Sequence, residues 1–275
     1  MKYLDQQTIR ILSRAIDRLL QLLDSEGISI AKDRDFNLYK GIREQHGERH
    51  LNQAFDAEFA EFGPRDFCLF TKNENSETIA TYCIRRLITD NFYDLIRSQK
   101  LWFSKRPRES SQALMLECEE PAIAGEVAHG GGLWVRPDYR GWSHLAFVLP
   151  RLARALSFIE CPFDHDTGMI RAAAGEEAKL AERKALFAGN RLYGFSRTIR
   201  LVNGWFPPAA RPAIVHLCHA SGNEVLASLM NGILLSDQAC ALSTRPAGQP
   251  VVNLDGRQPP FFGKYEMNGS SLAVD

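Results

Sequence analysis

The sequence predicts an α/β protein built on a mixed sheet, and three observations carry that expectation. Apolar residues recur at helical spacing in several stretches, short runs of β-formers are bounded by turn residues, and further along the two alternate. The resulting order is ββ, then β, α, β, α, β. The 275 residues suit one large core with added elements or two domains. At 45% hydrophobic and 24% charged, the composition is that of a soluble globular chain and excludes disorder, collagen-like structure and coiled coil. Lysine and arginine total 33 against 33 aspartates and glutamates, so no overall field draws in nucleic acid or an anionic membrane, and neither is an expected partner.

The first element runs from Thr8 as N-cap through Ile9, Leu12, Ile16, Leu19, Leu20 and Leu23 to a stop at Gly27, an amphipathic helix expected to pack on the sheet. Between Asp33 and Phe62 the chain is polar and broken by Gly41 and Gly47. Leu51, Phe55, Phe59 and Phe62 again lie three or four apart there, which places a second helix before Gly63-Pro64. Phe67–Phe70 and Thr78–Ile84, separated by Lys72–Ser76, read as a hairpin, followed by a short helix within Asp90–Gln99. Gly132–Val135 is a strand entering the turn Arg136–Gly141. After it, Leu145, Val148, Leu149, Leu152, Ala155 and Leu156 form a helical stripe, which Pro150 is expected to kink or break. A short strand at Met169–Arg171, a helix over Glu176–Ala188 and a strand over Phe195–Val202 follow. Past Pro207-Pro208 and Pro212 come a strand at Ala213–Cys218, whose edge is free for pairing in a homodimer, and a helix at Gly222–Leu235. The expected division is 1–63, a helical segment packing on the core; 64–204, the core; and 205–275, a strand-helix extension with an irregular tail.

Six widely spaced cysteines form no CxxC pair and no metal-ligand cluster, so no metal site is expected. The N-terminal residues lack the apolar run of a signal peptide, and no stretch is apolar enough to span a membrane. A cytoplasmic chain with reduced thiols is the expectation.

The segment Leu133-Trp134-Val135-Arg136-Pro137-Asp138-Tyr139-Arg140-Gly141-Trp142-Ser143-His144 resembles the central motif of the GNAT acyltransferase superfamily, with Val135, Pro137, Tyr139, Arg140 and Gly141 matching V-x-P-x-Y-R-G-x-G-x-G/A. Ser143 and Leu145 stand where the two later glycines belong, and Ala146 offers a small residue one position on. Thr78–Arg85 resembles the long strand before the motif. Lys184–Phe187 with Gly194-Phe195 resembles the helix and glycine-phenylalanine pair that precede the last shared strand. The resemblance implies a central mixed, mostly antiparallel sheet flanked by helices. It also implies acyl transfer from a thioester, acetyl-CoA or another acyl-CoA, to the amine of a small molecule or peptide by direct attack, with no metal. Backbone amides at a helix N-terminus suit a pyrophosphate. The donor would accordingly meet Leu133, Val135, Arg140, Gly141, Trp142, Ser143, His144, Leu145 and Ala146. An acyl carrier protein is an alternative donor, its acidic surface meeting Lys105, Arg106 and Arg108.

The resemblance points to a tyrosine before the glycine-phenylalanine pair as proton donor, and the nearest is Tyr193. Glu126 and Glu117 are the carboxylates to consider as base, and His129 is a further candidate. Two other readings stand beside this one. His129-Gly130-Gly131-Gly132 resembles the oxyanion-hole loop of lipases, which would make Ser143 the nucleophile of a serine hydrolase, although Leu145 occupies the glycine of the required elbow. A non-catalytic protein of the same fold, with the donor site lost, is the other. On the acyltransferase reading the glycine run relieves crowding at a bulged strand beside the donor. The acceptor, the acyl length and the oligomeric state have no legible signature.

Overall fold

A computed structural model of the chain describes residues 4–48, 51–105, 115–117, 123–140, 143–173, 197–202 and 213–230. Helix α1 covers Gln6–Asp24. Its N-cap is Asp5, three residues before the expected Thr8. The Asp5 carboxylate accepts from the Thr8 amide at 2.8 Å and from the Thr8 hydroxyl at 2.6 Å, so Thr8 completes the cap from inside the first turn. Leu12, Ala15, Leu19 and Leu23 make the buried stripe, and the chain leaves through Gly27 at φ +68°.

Strand β1, Ser29–Asp33, was not legible as a strand; it pairs antiparallel with β2, Phe67–Lys72. Helix α2, Phe36–Gln45, is capped by Asp35 and runs straight through Gly41. The helix expected from the spacing of Leu51, Phe55, Phe59 and Phe62 does not form. That stretch holds one 3-10 turn, Gln53–Phe55, and further turns. The reason is a buried guanidinium. Arg85 donates to the carbonyls of Ala54 (2.9 Å), Leu101 (2.6 Å) and Glu61 (3.0 Å), so these backbone acceptors are served from the sheet instead of by a helical ladder.

The hairpin of β2 and β3, Thr78–Thr89, forms as expected around Asn73, whose side-chain oxygen accepts from the Asn75 and Glu77 amides. The short helix α3 is Phe92–Arg97. Next come β4, Met115–Glu117; β5, Gly125–Val135; α4, Ser143–Glu160; β6, His165–Ala173; β7, Arg197–Val202; and β8, Ala213–Ser221, which runs into α5, described over 222–230. Pro150 lies within α4 without ending it. Val148, Leu149 and Leu152 anchor the helix in the core on both sides of the proline.

The eight described strands form one sheet in the order β1-β2-β3-β5-β6-β8-β7-β4. Every neighbouring pair is antiparallel except β5–β6, which α4 connects as a βαβ unit. Side chains alternate between two cores. Phe67, Leu69, Tyr82 and Ile84 join α1 and α4 on one face; Cys68, Phe70 and Cys83 join α2, α3 and the Phe55 turn on the other. Strand β8, expected to offer a free edge, does not. It lies between β6 and β7 with both sides paired. The expected helix over 176–188 lies outside the described residues.

Candidate active site

The glycine run His129–Gly132 is strand, not loop, which removes the structural basis of the hydrolase reading. β5 pairs with β6 only from Val127↔His165 to Gly130↔Gly168. Beyond that point β6 continues against β8, and among the described residues β5 continues against β3 alone. The sheet therefore opens along the β6 side of Gly131–Val135. At the same place β5 carries the expected bulge: Cys83 faces Gly131 and Thr81 faces Trp134, leaving Gly132 and Leu133 opposite the single residue Tyr82.

Each glycine of the run answers a different neighbour. A side chain at Gly130 would strike the Tyr82 hydroxyl and come within 2.8 Å of Arg154 Nη2. At Gly131 it would lie 2.6 Å from the Phe55 ring, on the other face. Gly132 has φ +66°, and a side chain there would meet the Tyr39 hydroxyl at 2.8 Å. Together they open a cavity of about 260 Å³ in which Tyr39, Arg43 and Asn52 contribute from the α2 side, and Tyr82, Pro150 and Arg154 from the α4 side. It thus reaches both faces of the sheet at the point where β5 and β6 part.

Charge at this opening is organised by buried pairs. Arg154 donates from Nε to Asp166 (2.9 Å) and from Nη1 to the Tyr82 hydroxyl (2.5 Å). Burial raises the Asp166 carboxyl to about 6, against the pull of Arg154, and raises the Tyr82 phenol to about 12. Burial also opposes the charge of Arg154, but Asp166 and Tyr82 outweigh it and keep the guanidinium protonated. Arg43 bonds the Tyr39 hydroxyl (2.9 Å) and the Gly132 carbonyl (3.1 Å), clamping α2 to the bulge, and pairs with Glu48.

At the far end of β5 the turn is rigid. Arg136 holds Asp138 through two bonds of 2.8 and 2.9 Å, reaches Glu77 at 3.0 Å and lies over the Tyr139 ring. Arg140 is exposed, its Nε on the Val135 carbonyl. Gly141 and Trp142 lie outside the described residues. Ser143 and His144 form the first turn of α4, where helix amides have no intrahelical acceptor. Leu145 is fully buried among the core leucines, so its bulk is directed into the core, and Ala146 beside it is half-buried. Leu133 is partly exposed, and Val135 packs at the core margin.

The candidate acid-base groups are not gathered at the opening. Glu126 begins β5 at the opposite end from the turn and is ion-paired with Arg65 (2.5 Å) and Arg86 (2.7 Å). Glu117 closes β4, the far edge strand. Tyr193 lies outside the described residues. His129 is fully buried between the Phe55 and Phe92 rings with Nδ1 on Thr167 Oγ1 (2.9 Å); burial, with Arg85 and Arg154 nearby, lowers it to about 3, so it stays neutral. Tyr82 and Arg154, which do meet at the cavity, and Asp166, which holds Arg154 from behind, were not singled out from sequence. A signal existed: Arg154 interrupts an apolar run, Leu152-Ala153-Arg154-Ala155-Leu156, and an arginine there must be either surface-exposed or paired.

No protein-family model and no curated protein matches the sequence. Similar solved structures include mutant forms of the spermidine/spermine N-acetyltransferase SpeG from Vibrio cholerae, at 10% identity and a TM-score of 0.43 over 74% of this chain and 98% of that one. A GCN5-related N-acetyltransferase from Kribbella flavida is similar at 13% identity and a TM-score of 0.38 over 72% and 99%. Likenesses this distant leave the chain's own topology to define the fold. A mostly antiparallel mixed sheet, flanked by helices, contains one parallel pair joined through the strand-turn-helix of the motif, as the sequence resemblance implied. The fold is a mixed α/β sheet flanked by helices.

Proposed function

We propose that the protein is an acyl-CoA-dependent N-acyltransferase, moving an acyl group from a thioester to an amine of a small molecule or peptide. The observation that carries this reading is the parting of β5 and β6 at Gly130↔Gly168, with a cavity reaching both faces of the sheet at that point. An acyl-CoA is here the donor substrate. Its amide-bearing arm suits the unpaired edge of Gly131–Val135, which offers N–H and C=O groups as a strand edge does to an added strand. Its pyrophosphate suits the first turn of α4 at Ser143–Ala146, with Arg140 adding charge. The glycines fit this use, because a side chain at Gly130 or Gly132 would collide with Tyr82, Arg154 or Tyr39 in the cavity wall, and one at Gly131 with the Phe55 ring. The amine would approach from the α2 side, past Tyr39 and Asn52, and two open faces let both substrates meet without exchanging places. With free thiols at the described cysteines, the cytoplasm is the compartment this reading favours.

A second reading has its own observation. Among the described residues lining the cavity there is no carboxylate and no imidazole, so a base for the amine is not at hand, as in a binding protein that keeps the fold without the reaction. Calorimetric titration of the full chain with free CoA and acetyl-CoA, repeated on Gly141→Phe, tests the proposal. Micromolar binding in the wild type that is lost in the variant is expected; no binding by the wild type would overturn it. Turnover of bound acetyl-CoA with an amine panel then separates enzyme from binder.

A further inference from the structure

We propose that the Tyr82 hydroxyl, backed by Arg154 and Asp166, is the hydrogen-bond donor that receives the carbonyl oxygen of the acyl group. The inference rests on the acyltransferase reading and assigns the group that polarises the thioester.

Tyr82 is almost fully buried, yet it lines the cavity, and its hydroxyl stands directly beside Gly130, another lining residue. Among the described residues its oxygen has one hydrogen-bond partner, the Arg154 Nη1 donor at 2.5 Å. The oxygen accepts there, so the phenolic proton has no acceptor among the described residues. A buried donor left without an acceptor is costly, and a donor lining a cavity is satisfied by whatever the cavity takes up. Gly130 keeps this position clear, since any side chain there would displace the hydroxyl and the guanidinium together. Arg154 is fixed in turn by Asp166 at 2.9 Å and by the Pro150 carbonyl at 3.1 Å, so the donor is oriented before a ligand arrives.

The chemistry balances without an added reagent. The amine nitrogen attacks the thioester carbon and the carbonyl π pair moves onto oxygen, where the Tyr82 O–H and the nearby Arg154 charge stabilise it. The C=O bond re-forms, the C–S bond breaks, and the thiolate takes up the proton released by the nitrogen, giving amide and free thiol. A phenol held well above its ordinary range stays protonated throughout and serves as a donor, not as an acid.

The test compares calorimetric affinities of acetyl-CoA and S-ethyl-CoA, a thioether without the carbonyl, for the wild type and Tyr82→Phe, with free CoA as reference. The wild type is expected to prefer acetyl-CoA by about fivefold to tenfold, the worth of one buried hydrogen bond, and the variant to bind both alike while keeping its affinity for free CoA. No preference in the wild type, or an undiminished preference in Tyr82→Phe, would overturn the inference and leave acyl transfer standing. Failure of the wild type to bind any of the three would instead remove the acyltransferase reading itself. Should Tyr82→Phe not fold, infrared spectra of wild type bound to carbonyl-13C acetyl-CoA decide. A carbonyl band lowered from its solution position supports the donor, and an unshifted band refutes it.

Discussion

Arg154→Met is expected to lower the unfolding free energy by about 3–5 kcal/mol at pH 8, the usual cost of leaving one partner of a buried pair alone. The side chains of Arg154 and Asp166 are only 4% and 2% exposed, so solvent does not compensate the stranded carboxylate. The loss should shrink at pH 5. Asp166 has its carboxyl raised from 3.8 to about 6 in the folded state. Between those values the folded protein holds the proton that the unfolded chain releases, so stability falls as pH rises through this window and levels off above it. A shift of roughly two units corresponds to about 3 kcal/mol. At pH 5 the acid is largely neutral, so losing Arg154 strands no carboxylate and forfeits only its hydrogen bonds to Asp166, Tyr82 and the Pro150 carbonyl. Urea unfolding of wild type and variant at both pH values, followed by circular dichroism, checks this; an equal loss at the two pH values would show that Asp166 is not the charge Arg154 compensates.

The second large effect is expected at the bulge. Gly132→Val places a β-branched residue at φ +66°, with its Cβ 2.8 Å from the Tyr39 hydroxyl and 3.3 Å from Cys83 Sγ. Backbone strain and crowding together should cost about 2–4 kcal/mol. Because Arg43 bonds the Gly132 carbonyl, the displacement should also loosen the clamp between α2 and β5 and abolish CoA binding where the chain still folds. Gly41→Ala is the contrasting substitution. Its Cβ meets nothing within 4 Å in the middle of α2, so a gain of about 0.5–1 kcal/mol and unchanged CoA binding are expected. Thermal unfolding and calorimetry on both variants measure the contrast, and a Gly132→Val protein that binds CoA normally would remove the bulge from the site.

The legible parts of this fold were those where one local rule acts alone. The hairpin around Asn73 and the turn into α4 follow from residue type at fixed spacing, and the bulge at the glycine run was expected from the family resemblance. The illegible parts are those where a distant group decides. Leu51, Phe55, Phe59 and Phe62 have helical spacing, but Arg85, from a strand, takes the carbonyls that a helix would have used. β1 contains Lys32 and Asp33 and is a strand through its pairing with β2 more than through its own propensity. Glu126 has the chemistry of a base but stands between Arg65 and Arg86, neither near it in sequence. Tyr82 and Arg154 are 72 positions apart, and only the packing of α4 over β3 and β5 brings phenol and guanidinium together.

The central claim is that a CoA thioester binds where β5 parts from β6. Amide hydrogen exchange of the full chain, with and without free CoA, tests it most directly, because no described strand pairs with Gly131–Val135 on its β6 side. The expected result is slowed exchange confined to residues 131–135 and the first turn of α4 on adding CoA. Exchange unchanged in those residues at saturating CoA, or slowed only elsewhere in the chain, would contradict the account.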